Sequence, residues 1–203
     1  MKLYYSPGAC SLSPHIALRE AGLAFELVKT DLHSHKIENG SDYRDINPKG
    51  YVPALLLDDG QLLTEGPVIV QYIADRVPEK RLAPPAGSME RYRLMEWLNY
   101  ITSELHKTFS PLFNKQASED WKEAARKLLD RRIEFVAKTL EGRDYLTGQA
   151  FTVADCYLFT VLNWAQWVQV DLSRWPVLAA YVQRVAARPA VQAALRAEGL
   201  LTA

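Results

Sequence analysis

Cysteine has the widest chemical latitude of any residue type in this 203-residue chain, and there are two, Cys10 and Cys156. Cys10 follows a short run, Lys2 to Tyr5, and a Ser-Pro-Gly-Ala turn. It opens Cys10-Ser11-Leu12-Ser13, at the head of a segment with helical apolar positions (Leu12, Ile16, Leu18, with Ala17 and Ala21) that stops at Gly22. Pro14 falls in the first turn, where its missing N–H costs nothing. This places a thiol at the mouth of a helix, where unpaired amides and the helix dipole favour negative charge, hence a thiolate. The competing reading is a small buried hydrophobe. The Cys-x-x-Ser spacing is also that of a dithiol motif whose resolving cysteine is missing. Cys156 lies in an apolar helix and reads as inert packing.

The second set of candidates is Asn99, Ser103 and His106, at i, i+4 and i+7. At roughly 100° per residue they form an uncharged polar stripe between an apolar and a charged face. A solvated helix boundary has the same pattern, so the stripe alone does not decide. His15 and His33 read as structural or exposed. Two distant cysteines give neither a disulfide framework nor metal-ligand spacing, so no metal is expected.

Composition bounds the setting. Twenty-four basic and 24 acidic residues cancel, which argues against nucleic acid or an anionic membrane as partner and permits self-association. Tyr157 to Val170 is the most apolar long run, but it is interrupted by Asn163, Gln166 and Gln169 and is too short to span a bilayer. The N-terminus lacks the apolar core of a signal peptide, so the chain reads as cytoplasmic.

The elements that must position these residues follow in order. Residues 2–5 and 25–32 read as strands flanking the Cys10 helix, a βαβ unit with parallel strands. Residues 33–46 are polar and irregular, with a short helix expected before Asn47-Pro48. The run from Lys49 to Leu63 contains an Asp-Gly turn between apolar stretches and reads as a hairpin. Thr64-Glu65-Gly66-Pro67 opens a helix with Val68, Ile69, Tyr72 and Ile73 expected inward. The order β-α-β-α-β-β-α is that of a thioredoxin-like module. Residues 79–87 are rich in proline and read as a linker between a domain at 1–78 and an all-helical one at 88–203. In the latter, Leu94, Leu98, Ile101, Leu105 and Phe109 form an apolar stripe over 88–113. Residues 119–140 form an amphipathic helix whose mixed charges read as a solvated face. Thr152-Val153-Ala154-Asp155 is a capping-box start with Asp for Glu, opening a helix that is apolar nearly all round. Residues 175–187 and 189–197 supply two more helices.

An α/β thioredoxin-like N-terminal domain followed by an all-α C-terminal domain, carrying these motifs, resembles the glutathione transferases, and in particular the bacterial beta class. The resemblance covers the whole chain and rests on YYSPGACSLSPH, NPKGYVPALLLDDG, LLTEGPVIVQYIAD, EWLNYITSELHK and GQAFTVADCYLF, in that order.

It implies glutathione as co-substrate, with binding positions that map residue by residue. Val52 and Pro53 correspond to a cis-proline step that turns the Val52 backbone toward the ligand. Glu65 and Gly66 lie at a helix start, where amides take the γ-glutamyl carboxylate and Glu65 its ammonium, although Glu65 could equally serve the helix dipole alone. Many relatives have Ser where this chain has Gly66. His35 stands where Lys commonly meets the glycine carboxylate, and Lys36 is its neighbour. Asn99, Ser103 and His106 line the glutathione site, with His106 near the sulfur and Cys10, so that both count as catalytic. Glu104 corresponds to a residue that reaches the other subunit's glutathione in a homodimer. Phe109, Phe113, Tyr157 and Trp164 are candidates for the wall of an electrophile pocket, or plain core. Tyr5 and Ser11 are the hydroxyls other classes use on the sulfur and are secondary candidates here.

The activity implied is detoxifying attack by glutathione thiolate on a small hydrophobic or halogenated electrophile. A thiol of pKa about 8.5 is roughly 3% ionised at pH 7. Lowering it by about two units is worth roughly 2.7 kcal/mol, but the weaker nucleophile leaves only a few-fold net gain. Holding two substrates side by side must supply the rest. Two alternatives stay open: a glutathione-dependent thiol-disulfide oxidoreductase or peroxidase using Cys10 as a monothiol, and a non-catalytic ligand-binding module.

Overall fold

The structure is a computed structural model, described here for residues 1–201. Its packing separates into two compact units. The first takes Met1–Ala83 together with the segment from Ala187 onward, and the second takes Pro84–Ala186. The contiguous division expected from composition therefore differs at the C-terminal end, where the last helix packs with the first unit (Thr202 and Ala203 lie outside the described residues).

In the first unit, strand β1 (Lys2–Tyr5) leads into helix α1 (Leu12–Ala21), and β2 (Glu26–Asp31) returns parallel to β1 with Lys2 opposite Glu26. The parallel pair requires a crossover, and α1 provides it. Gly22, at φ 70°, closes α1 in the left-handed conformation that glycine adopts without steric cost. A short edge strand β3 (Lys36–Ile37) and a 3-10 turn (Tyr43–Asp45) occupy the segment where a short helix was expected. The 2-residue strand pairs antiparallel with the end of β2, and the short helix expected before Asn47-Pro48 is present as the 3-10 turn that ends at Asp45. Strands β4 (Ala54–Leu56) and β5 (Leu62–Thr64) form the hairpin around Asp58-Asp59-Gly60, with β4 antiparallel to β1. The sheet order is β3-β2-β1-β4-β5. Tyr4, Tyr43, Val52 and Ala54 form one of its cores. Helix α2 (Gly66–Asp75) buries Ile69, Val70, Ile73 and Ala74 and leaves Val68 exposed, a face rotated from the one expected.

In the second unit, helix α3 (Met89–Tyr100) passes into a π-helical stretch, Ile101–His106, and then α4 (Lys107–Phe113). All five residues of the expected stripe are buried. Helix α5 (Glu119–Leu140) is amphipathic, and α6 (Val153–Asn163) is buried from Val153 to Leu162. The Asp155 carboxylate, fully buried, accepts from the Thr152 N–H, the Thr152 hydroxyl, the Leu146 N–H and the Tyr181 hydroxyl. Helix α7 (Pro176–Ala186) closes this unit, and α8 (Pro189–Ala197) belongs to the first, packing on α1. Among the described residues no helix is long and apolar enough to cross a membrane.

Candidate functional site

In the first unit the Cys10 turn is tied down from both sides. The Ser11 hydroxyl accepts from the Ser6 N–H (3.1 Å) and donates to the Ser6 carbonyl (3.2 Å), so this secondary candidate is committed to the turn itself. Tyr5, the other hydroxyl, is buried, and burial pushes its phenol above the ordinary value, with Glu198 and Glu38 adding to the shift. The Gly8 N–H donates to the Glu198 carboxylate (2.9 Å), whose other oxygen takes His15 Nδ1–H at 2.7 Å. Arg19 donates to His15 Nε2 at 2.9 Å, which leaves the proton on Nδ1. His15 is thus buried in a structural network, while His33 is exposed.

Three of the amides expected to stabilise a thiolate are already paired. Leu12, Ser13 and His15 N–H groups donate to the carbonyls of Ala9, Cys10 and Ser11, and Pro14 has none. The half-buried Cys10 thiol donates to the Val52 carbonyl at 3.2 Å, a hydrogen bond that favours the protonated form. The Val52–Pro53 bond is cis, as the resemblance implied, and the Val52 carbonyl faces Cys10.

Glu65 has φ 69° and ψ 112°, a conformation sparsely populated outside glycine, at the entry to α2. Its carbonyl accepts from Val68 and Ile69, Pro67 has no N–H, and among the described residues the first-turn donor that remains is the Gly66 amide. A Cβ on Gly66 would meet Pro53 Cγ at 3.9 Å, ordinary contact, so this position has room for the serine that the resemblance associates with it. The exposed Glu65 carboxylate pairs with the Lys49 ammonium, which also donates to the Thr64 hydroxyl (3.1 Å). Lys49 carried no role in the sequence reading. It lies in the NPKGYVPALLLDDG stretch, but nothing there signals that its ammonium reaches Glu65. Asn47 and Tyr43 hold this loop through the Tyr51 carbonyl. His35, at φ 56°, places Nδ1 at 3.2 Å from the Gly50 carbonyl, and Lys36 is exposed on β3. Cys10, Val52, Pro53, Gly66 and Glu65 therefore share one locale, with His35 anchored to the neighbouring loop.

In the second unit the π stretch changes the expected stripe. Its wider turns, roughly 80° per residue rather than 100°, keep Ser103 in line with Asn99 but rotate His106 away by about a third of a turn. Asn99 and Ser103 are exposed, while His106 is largely covered. The Thr102 and Ser103 hydroxyls donate to the carbonyls four residues back, at 2.8 and 3.1 Å.

His106 packs edge-on to Trp164 (ring centroids 4.7 Å apart, 75°), and its Nδ1 lies 2.7 Å from the Tyr157 hydroxyl. Burial, with a smaller contribution from Lys107, pushes its pKa down to about 4, so the imidazole is neutral at pH 7. Phe109 and Phe113 also meet Trp164 edge-on, at 5.8 and 5.9 Å. Tyr157 and Trp164 thus meet His106, and Phe109 and Phe113 meet Trp164; Phe109, Tyr157 and Trp164 are core and only Phe113 presents a large exposed surface. Glu104 is clamped by Arg132 of α5. The guanidinium reaches the Glu104 carboxylate (2.5 Å), the Glu104 carbonyl (2.7 Å) and the Thr108 hydroxyl. Arg132 was read as part of a solvated face, yet it pins the π stretch. Among the described residues no cluster of His, Cys, Asp and Glu is arranged to hold a metal ion.

Residues 8–76 match the family model of the glutathione S-transferase N-terminal domain, and residues 100–189 that of the C-terminal domain. The glutathione S-transferase GstA of Escherichia coli O157:H7 is 54% identical over 200 residues, spanning 98% of this chain and 100% of that protein. Among solved structures, BphK, a bacterial GST in ternary complex, superposes with a TM-score of 0.98 at 64% identity, over 98% of this chain and 100% of that one. The beta-class glutathione S-transferase of Sphingomonas chungbukensis gives 0.96 at 50% identity, over 99% and 100%.

Proposed function

Because the chain belongs to the glutathione S-transferase family and is a glutathione transferase, we propose that it joins glutathione thiolate to small hydrophobic or halogenated electrophiles. Glutathione is the co-substrate. Val52 offers its backbone, the Gly66 amide takes the γ-glutamyl carboxylate, and Glu65, exchanging its Lys49 partner, takes the ammonium. His35 or Lys36 meets the glycine carboxylate. The neutral His106 donates to the sulfur, Asn99 and Ser103 offer polar contacts, and Phe113 is the electrophile-facing aromatic residue.

The observation that favours conjugation over the redox alternative is the Cys10 thiol donating to the Val52 carbonyl. A monothiol reductase needs Cys10 as thiolate, whereas the contact with the Val52 carbonyl favours the protonated form. Cys10 then serves as a thiol that can turn its S–H from Val52 to the glutathione sulfur.

A homodimer is the assembly we favour. Met89, Tyr92 and Met95 on α3 and Phe135 on α5 are exposed in the second unit, as are Tyr51 and Val68 in the first. Sedimentation should give twice the monomer mass. A cytoplasmic setting, where glutathione is abundant, suits this chemistry.

The deciding experiment pairs two assays on wild type and Cys10→Ala: conjugation of a chlorinated nitroarene, and reduction of a glutathione mixed disulfide. Conjugation retained within about tenfold in the variant is the expected result. Loss of disulfide reduction in the variant, with conjugation negligible in wild type, would move the assignment to redox chemistry.

A further inference from the structure

We infer that Tyr157 is a positioning residue, whose phenolic O–H donates to His106 Nδ1 and thereby fixes the imidazole as its Nε2–H tautomer. The geometry is specific to these residues. Tyr157 Oη stands 2.7 Å from Nδ1, and the two rings meet at 80° with centroids 6.0 Å apart. Tyr157 projects from α6, which is buried along nearly its whole length, and it is 3% exposed itself. Trp164 holds the imidazole plane from another side, at 4.7 Å. Neither ring is free to reorient with solvent.

A neutral imidazole carries one N–H, on either nitrogen, and its hydrogen-bond partner selects which. Between a phenol and an imidazole the direction is set by acidity. A phenol loses its proton near pH 10, far more readily than a neutral imidazole loses its N–H, and imidazole nitrogen is the better acceptor. O–H···Nδ1 is therefore favoured over Nδ1–H···O. The remaining proton sits on Nε2, on the side of the ring away from Tyr157. Burial keeps the ring neutral down to acidic pH, so the choice of tautomer, and not the charge, decides what His106 offers.

The catalytic consequence rests on the reading of His106 at the glutathione sulfur. With Nε2–H, a neutral histidine donates to the thiolate. With the other tautomer it would present a lone pair to the same anion and raise the thiol pKa. Tyr157 was expected as a wall for the electrophile or as plain core, and the phenol's contact with the ring could not be read from a separation of 51 residues.

The test reads the tautomer directly. Wild-type protein labelled with 15N-histidine is examined at pH 7, with the His106 signals assigned by their loss in His106→Ala. We expect a protonated Nε2 and an unprotonated Nδ1. Tyr157→Phe keeps the ring and removes only the hydroxyl; it should give a mixture of tautomers and raise the apparent pKa of the conjugation pH–rate profile by about one unit. In the double variant with His106→Ala, removal of the hydroxyl should have no further effect on that profile. A wild-type spectrum showing Nδ1–H overturns the proposal without reference to activity. Tautomer populations unchanged in Tyr157→Phe also overturn it. The expected spectra with an unmoved pH–rate profile would instead remove His106 from the sulfur and leave the tautomer assignment standing.

Discussion

Two side chains near the proposed chemistry are held in their uncharged forms. Cys10, at the head of a helix, donates as a thiol to the Val52 carbonyl, and His106, beside a lysine, is a neutral imidazole. Burial explains the histidine, because an imidazolium packed among Tyr157, Trp164 and Lys107 would lose its hydration. This has a consequence for stability with a definite sign. Above about pH 6.5 His106 is neutral in both folded and unfolded chains. Between that value and about 4 the unfolded chain takes up a proton that the folded one refuses, so acid favours unfolding. Stability should fall by up to about 3 kcal/mol across this window. His106→Gln should flatten that part of the curve, as read from urea midpoints at a series of pH values. An equal slope in the variant would place the acid sensitivity elsewhere. The cysteine and histidine were both visible in the sequence as candidates. Their protonation was not, because it depends on neighbours 42 and 51 residues away.

At the scale of elements, the decisive departure is the π stretch, Ile101–His106. The apolar stripe from Leu94 to Phe109 was legible and is buried, since core-facing periodicity survives a local change in winding. The polar stripe was not, because an α-helical wheel carries His106 onto the Asn99 face and the wider turn carries it off. Arg132 holds the stretch through Glu104 and Thr108. Arg132→Ala should therefore cost about 2 kcal/mol and reduce conjugation, while Arg132→Lys, unable to span three acceptors at once, should recover only part of it. A melt and a kcat measurement on both variants suffice. Full activity in Arg132→Ala would separate the π stretch from catalysis. The capping box of α6 shows the opposite case: Thr152 and Asp155 were read from spacing alone, and Asp155 caps the helix as expected. A cap involves residues three apart, so no tertiary information is needed.

Across the whole molecule, the chain returns to its first unit after building the second, and Glu198 completes the turn that carries Cys10. Glu198 is buried with His15, and removing it leaves the His15 and Gly8 N–H groups without their acceptor. Glu198→Ala should destabilise the protein by about 2–4 kcal/mol and speed alkylation of Cys10 by a thiol reagent, because the turn loses its anchor. An unchanged alkylation rate in folded variant protein would show that the turn stands without it. The sequence by itself determined the family, the thioredoxin-like and all-helical layout, the hairpin, the caps and the residues worth suspecting. These follow from local periodicity, turn chemistry and motif order, which are written in neighbouring residues. Only the tertiary structure decided that Val52 receives the Cys10 proton, that Lys49 sits on Glu65, that Tyr157 faces His106 and that Glu198 closes on Gly8. Each of those is a contact between groups far apart along the chain, and its existence depends on where the backbone has been carried.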